Sequence, residues 1–197
     1  QLFLNFSERV EYSSSLVFPN ATGNNVYQYP SVGLGWIMSK TFNLPEYVSF
    51  AKLRASYAQT GKDILPWQIS NDFRTYSYNG TSSTGLPLYG FSTNQIVDPN
   101  IKPQRTNEEE VGLNLQFLKN RLGIDVAVFQ KITSEQIATK TLAPESGASG
   151  LLLNIGSIRN RGIEIRFTAT PVRTRNFSWN SIINFTKYAN KILSYSS

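Results

Sequence analysis

Between Val111 and Phe129 the chain reads VGLNLQFLKNRLGIDVAVF, and apolar residues take every second position on both sides of Lys119-Asn120. Val111, Leu113, Leu115 and Phe117 share one face of the first half, against Gly112, Asn114 and Gln116 on the other. Leu122, Ile124, Val126 and Val128 then alternate with Gly123, Asp125 and Ala127. A period of two belongs to a strand whose faces meet different surroundings, so the segment predicts a hairpin with a tight "KN" turn. A soluble sheet would bury the apolar face under a second layer. A membrane barrel would give that face to lipid and turn the polar one to an interior.

Seven strand candidates can be read along the chain: Leu2–Glu11, Tyr29–Met38, Ser49–Ala58, Thr106–Leu118, Arg121–Ile132, Arg159–Thr170 and Phe177–Tyr188. Most reach the roughly 9–11 residues that a tilted strand needs to cross a bilayer, whereas soluble strands average about five or six. The connections alternate long and short, as in an up-and-down outer-membrane barrel with long loops outside and short turns in the periplasm. In the third strand Ala51, Leu53, Ala55 and Tyr57 oppose Lys52, Arg54 and Ser56. In the sixth, Ile163, Ile165, Phe167 and Ala169 oppose Glu164, Arg166 and Thr168, and in the seventh Phe177, Trp179, Ile183 and Phe185 oppose Ser178, Asn180, Asn184 and Thr186. A one-residue slip would place Arg54 or Arg166 in lipid, at about 2–4 kcal/mol near the midplane. Trp36, Phe42 and Phe50, Phe117 and Leu122, and Phe177 and Trp179 gather beside the three short turns, as an aromatic girdle would.

Composition changes this picture in three ways. Charged residues are 16% and aromatics 13%, against roughly 25% charged in soluble domains, which suits a protein with much surface away from bulk water. Without a run of about 18 apolar residues there is no membrane helix, and a closed barrel is the remaining way to span lipid. The mean hydropathy of -0.26 does not oppose this, because barrel strands alternate. Cysteine and histidine are absent, which excludes Ser-His-Asp and Cys-His catalysis within these 197 residues and the usual zinc ligands; no cofactor is expected. The net charge of +6 permits a nucleic-acid partner, but the cations are scattered rather than run together, and none is expected.

The segments YPSVGLGWIMSK, FAKLRASYAQTGKD, DPNIKPQRTNEEEVGLNLQFLKNRLGIDVAVFQKITSEQI, LLLNIGSIRNRGIEI and TATPVRTRNFSWNSIINFTKYANKI resemble, in family order, the SusC/RagA-type TonB-dependent outer-membrane transporters. The resemblance implies a barrel of about 22 strands with an N-terminal plug, a TonB-contacting segment and a SusD-like surface lipoprotein over the mouth. Residues 1–197 would then be an internal section of an all-β, antiparallel up-and-down transmembrane β-barrel, about a third of the whole, lacking plug and TonB segment. It implies an outer-membrane importer of bulky solutes such as oligosaccharides or peptides in a Gram-negative bacterium. Motif positions Pro30, Gly35, Trp36, Leu53, Arg54, Gly61, Pro99, Asn100, Pro103, Gly112, Asn160, Gly162, Glu164 and Trp179 read as architectural: turns, bulges, interior pairs and interface anchors. Seven strands place Gln1 toward the periplasm and Ser197 toward the outside, and two open edges require missing strands on both sides.

Two rival functions fit parts of the chain. Glu108 and Glu110 share a strand face about 7 Å apart, near a glycosidase spacing, yet EEE at a strand start lacks an apolar pocket to split two pKa values and reads as an acidic strand end in water or beside Arg105. No enzyme is expected, and neither catalytic nor metal-binding residues are assigned. A soluble β-sheet carbohydrate-binding module is the second rival, with Trp67, Phe73, Tyr76, Tyr78 and Tyr89 as stacking platforms. In a transporter the same loop makes Trp67, Tyr76, Tyr78 and Tyr89 candidate substrate contacts, or simply a small core of the loop's own. Arg54, Arg166 and Lys52 would point into the lumen and pair with Glu164, Asp125 or the plug.

Overall fold

The computed structural model describes residues 1–17, 26–65, 76–91, 95–143, 146 and 148–195. Twelve strands occur among them: β1 (Leu2–Tyr12), β2 (Val26–Ile37), β3 (Val48–Lys62), β4 (Tyr76–Thr81), β5 (Pro87–Phe91), β6 (Gln95–Val97), β7 (Gln104–Phe117), β8 (Leu122–Ser134), β9 (Ile137–Thr141), β10 (Gly150–Asn154), β11 (Gly156–Arg173) and β12 (Ser178–Tyr195). The seven long strands form one antiparallel sheet in the order β1-β2-β3-β7-β8-β11-β12, and each matches one strand expected from the alternation. They run further than expected, chiefly at the ends that meet the long connections: β3 continues to Lys62, β11 starts at Gly156 and β12 continues to Tyr195. The expected two-residue "KN" turn is wider, because Leu118, Lys119 and Asn120 all take left-handed backbone (φ 51°, 56° and 65°) between strands that end at Phe117 and resume at Leu122. Five short strands within the long connections were not expected.

Register fixes the two faces. Leu2, Trp36, Leu53, Leu113, Val126, Ile165 and Phe185 form one continuous row of paired residues across the sheet. The next row toward the long connections is Leu4, Leu34, Ala55, Val111, Val128, Ile163 and Lys187. Among the described residues no second layer covers this apolar face: Leu4 is 73% exposed, Phe6 68%, Val111 and Val128 54%, and Ile183 61%. For an apolar row in water this would be a severe liability.

The edge of the apolar band is oblique. Followed toward the long connections, the unbroken apolar run ends at Phe6 on β1, Pro30 on β2 and Tyr57 on β3, but at Val111 on β7, Val128 on β8, Ile163 on β11 and Phe185 on β12, with Val10 and Tyr12 on β1, Ile132 on β8 and Ala189 on β12 lying beyond the first polar position. The boundary therefore slides along the strands on crossing the sheet. Strands tilted by about 35–45° to a membrane normal require this, because rows perpendicular to the strands then cut obliquely through a flat slab.

Three irregularities adjust the ladders of the seven-stranded sheet. An extra residue at Ser49 offsets β3 against β7. Pro171, which has no N–H to give to a ladder, lies within the offset of β11 between Ala169 and Val172. Leu193 is the extra residue on β12 opposite Ser157 and Ile158. Gly156 faces this last bulge with φ +152°, and a Cβ there would lie 2.1 Å from the Ser194 carbonyl oxygen, so close backbone approach requires glycine.

The hydrophobic core lies at the long-connection end. Leu16 from the β1–β2 connection, Tyr27 and Tyr29 at the start of β2, Ile64 after β3, Val97 and Ile101 from the β3–β7 connection and Leu152 of β10 pack together, with Ile137 of β9 against them. A second sheet in the order β6-β10-β9 binds the β3–β7 connection to the β8–β11 connection, with β10 parallel to β6 and antiparallel to β9. Asn154 staples this cap: its Oδ1 accepts from Lys102 N–H at 2.8 Å, and its Nδ2 donates to Lys102 O (2.9 Å) and Glu135 O (2.7 Å). Described parts of three long connections thus share one core, while β4 and β5 stand as a sheet of their own.

Candidate functional site

The polar face of the sheet carries its organised chemistry. Two neighbouring rows run Arg54, Gly112, Ala127, Glu164, Thr186 and Lys52, Asn114, Asp125, Arg166, Asn184. Arg54 on β3 reaches across β7: its Nε donates to Glu110 Oε1 at 3.0 Å and its Nη1 to Asp125 Oδ1 on β8 at 2.9 Å. Asn114 Nδ2 donates to the other Asp125 oxygen at 2.8 Å.

Glycine at 112 makes this crossing possible. A Cβ there would stand 2.4 Å from Arg54 Cζ, so the guanidinium lies flat on the β7 backbone where any side chain would lift it away. Gly162 is similarly covered by the Phe129 ring, whose Cζ would lie 2.8 Å from an added Cβ, an aromatic shielding of a strand glycine. Arg54 and Asp125 pair as one of the expected alternatives, but Arg166 does not reach Glu164; its Nε donates to Asn184 Oδ1 at 3.2 Å.

The acidic strand start is tied to other partners than expected. Glu108 pairs with Lys131 at 2.9 Å, not with Arg105, and Glu110 belongs to Arg54. Glu109 lies on the opposite face, level with Tyr57 and Gln130. Glu108 and Glu110 do share a face, but each meets a cation in a partly solvated setting, with side chains 42% and 34% exposed. The pair offers hydrolysis neither an apolar pocket nor a free second carboxylate.

At the short-turn end Trp36 and Phe42 meet edge to face at 5.4 Å, and the Trp36 indole N–H donates to Thr41 Oγ1 at 3.0 Å. Phe117 pairs opposite Leu122, and Trp179 opposite Val172. Phe50 departs from the expected girdle: it pairs with Gln116 and shares the polar face with Lys52 and Arg54, while Val48, across the Ser49 bulge, takes the place beside Phe117.

Of the four candidate substrate contacts, Trp67 lies outside the described residues, as does Phe73. Tyr76 and Tyr78 are on β4 and Tyr89 on β5, with Tyr78 directly opposite Tyr89 and Tyr76 opposite Phe91. These two strands form a separate sheet. Sequence reasoning missed Lys131 as the partner of Glu108, and Asn154 as the staple. A basic residue opposite an acidic strand start was a usable signal for the first; the second had none, since its partners are remote in sequence.

An uncovered apolar band on long antiparallel strands, a polar reverse face and strictly alternating connections define a section of a transmembrane-type up-and-down β-barrel. The profile of the family described as TonB dependent receptor-like, beta-barrel, matches residues 1–196, and the chain belongs to that family. It is 29% identical over 167 residues to the TonB-dependent receptor P39 of Formosa agariphila, covering 84% of this chain and 16% of that protein. It is 28% identical over 199 residues to the TonB-dependent receptor SusC of Bacteroides thetaiotaomicron, covering 95% of this chain and 19% of SusC. The fold superposes on the RagAB peptide importer in its closed-closed state with a TM-score of 0.81 at 20% identity, over 100% of this chain and 21% of the other. The siderophore receptor PirA of Pseudomonas aeruginosa gives 0.58 at 14% identity, over 97% and 32%. The chain spans 16–20% of the length of the curated relatives it matches.

Proposed function

We propose that these residues form part of the outer-membrane barrel of a TonB-dependent importer of a Gram-negative bacterium, taking up bulky solutes such as oligosaccharides or peptides with a SusD-like surface lipoprotein. The membrane reading rests on one observation: the apolar face remains uncovered across seven strands and its boundary slants as tilted strands in a slab demand. Likeness to SusC and to the RagAB peptide importer supports the importer class and the lipoprotein partner. TonB is engaged through the plug-bearing part of the protein. The polar face borders the lumen, with the Arg54 network bracing the wall, and Trp67, Tyr76, Tyr78 and Tyr89 are the residues assigned to solute contact.

The absence of cysteine from these residues gives a direct test. Single cysteines introduced into the full-length protein at positions 111–117 are labelled with a lipid-soluble or a water-soluble thiol reagent in intact outer membranes. L113C and L115C should react with the first, and N114C and Q116C with the second. Uniform reactivity would remove the barrel reading. Gene deletion that leaves growth on oligosaccharides and peptides unchanged would remove the importer reading alone.

A further inference from the structure

Just beyond the slanting boundary of the apolar face, toward the long connections, the boundary residues are Glu8 on β1, Gln59 on β3, Glu109 on β7, Gln130 on β8, Arg161 on β11 and Lys187 on β12. Charge along this line changes sign, and on β11 and β12 it is wholly basic. Arg159, one step beyond Arg161, and Lys191, two steps beyond Lys187, lie on the same face directly opposite one another.

Among the described residues this arrangement is electrostatically unbalanced. Like charges directly opposite on neighbouring strands destabilise a sheet, and none of the four cations makes an ion pair among the described residues. Arg159 and Arg161 are already flanked on both sides, by Ile132 and Gln130 of β8 and by Lys191 and Ala189 of β12. A further strand beside β12 would not lie next to them. The nearest carboxylate on this face, Glu109, is separated from Arg161 by Gln130. Immediately below the cations lies a shallow groove lined by Val128, Arg161, Ile163, Lys187 and Ala189, so cationic heads stand over an apolar floor.

Resting on the barrel reading above, we propose that Arg159, Arg161, Lys187 and Lys191 bind the phosphorylated head group of an outer-leaflet lipid whose acyl chains lie along Val128, Ile163 and Phe185. The long connections mark this end of the strands as the outer side. Cations at a membrane surface attract anionic lipid by about 1 kcal/mol each, and Arg adds a fork that matches phosphate. A soluble anion would satisfy the charges but would leave the groove below them uncovered; a lipid phosphate satisfies both.

The test uses the full-length protein inserted into phosphatidylethanolamine vesicles with or without diphosphorylated lipid A, with the lipid retained after detergent extraction read by native mass spectrometry. Lipid A should be retained by the wild type, and Arg159→Gln with Arg161→Gln should weaken retention by about twenty-five-fold, roughly fivefold per cation. Gln130→Glu, which supplies a competing carboxylate beside Arg161 and removes no cation, should weaken it in the same direction. Dephosphorylated lipid A should be retained poorly by every variant. Equal retention of the two lipids, or equal retention by wild type and the double variant, overturns the proposal. Insertion into phosphatidylethanolamine alone, followed by heat-modifiable gel mobility, is read separately: failure there overturns the barrel reading and the lipid site with it, whereas insertion without discrimination overturns only the lipid site.

Discussion

The cap and the sheet below it are built on opposite principles. In the cap Leu16 is 1% exposed, Tyr29 5% and Leu152 6%, and residues from three connections converge as in a soluble domain. Below it equally apolar residues such as Leu4, Phe6, Ile183 and Phe185 stand more than half exposed. Burial in the cap is supplied by the chain itself, while burial on the sheet must come from outside. The two regions should therefore respond differently to the same kind of mutation, and the difference depends on solvent.

The largest expected effect is in the cap. Leu16→Ala in the full-length protein should lower local cap stability by about 2–5 kcal/mol, read as faster amide exchange in β6, β9 and β10 with unchanged protection in β7 and β8. Equal loss in both regions would mean that cap and sheet unfold as one unit.

Next is Leu113→Arg on the apolar face, at a central position of the band. Its cost should be about 2–4 kcal/mol for unfolding from lipid vesicles and much less for the same protein in a detergent whose micelle adapts around the charge. A cost independent of the surrounding amphiphile would assign Leu113 to a protein core instead.

A smaller effect is expected where the wall braces itself. Arg54→Met removes two charge-assisted hydrogen bonds from a group whose side chain is 35% exposed, so solvent screening limits the loss to about 1 kcal/mol. Gly112→Ala should cost less again, because the flexible guanidinium can retreat from the new methyl group. If the crossing matters, the two substitutions will be non-additive in a double-mutant cycle. Simple additivity would show that Arg54 does not depend on the bare backbone at Gly112.

The candidate site was unevenly legible before the structure. The polar-face placement of Arg54, Lys52, Arg166, Asp125 and Glu164 followed from alternation alone, because each Cβ in a strand points opposite to its neighbours. Their pairing did not follow. Arg54 had several carboxylates in reach of an argument, and the choice of Asp125 depends on β3, β7 and β8 being adjacent and on Gly112 lying between them. Phe50 lies beside a short turn but faces the polar side, so nearness to a turn does not by itself make a girdle residue. The alternation with Lys52 and Arg54 already puts Phe50 on that side, and the Ser49 bulge supplies Val48 in its stead.

The sequence by itself determined which residues share a face, that the apolar face repeats over five of the seven strands and that long and short connections alternate. All three are local properties, since side-chain direction is set by the pleat within a few residues. Only the tertiary structure decided the slant of the apolar boundary, the bridge from Arg54 to a residue 71 positions later, the cations gathered on β11 and β12, and the union of parts of three long connections into one cored cap. Each of these depends on register between strands remote along the chain, and register is a property of the pairing rather than of either strand alone.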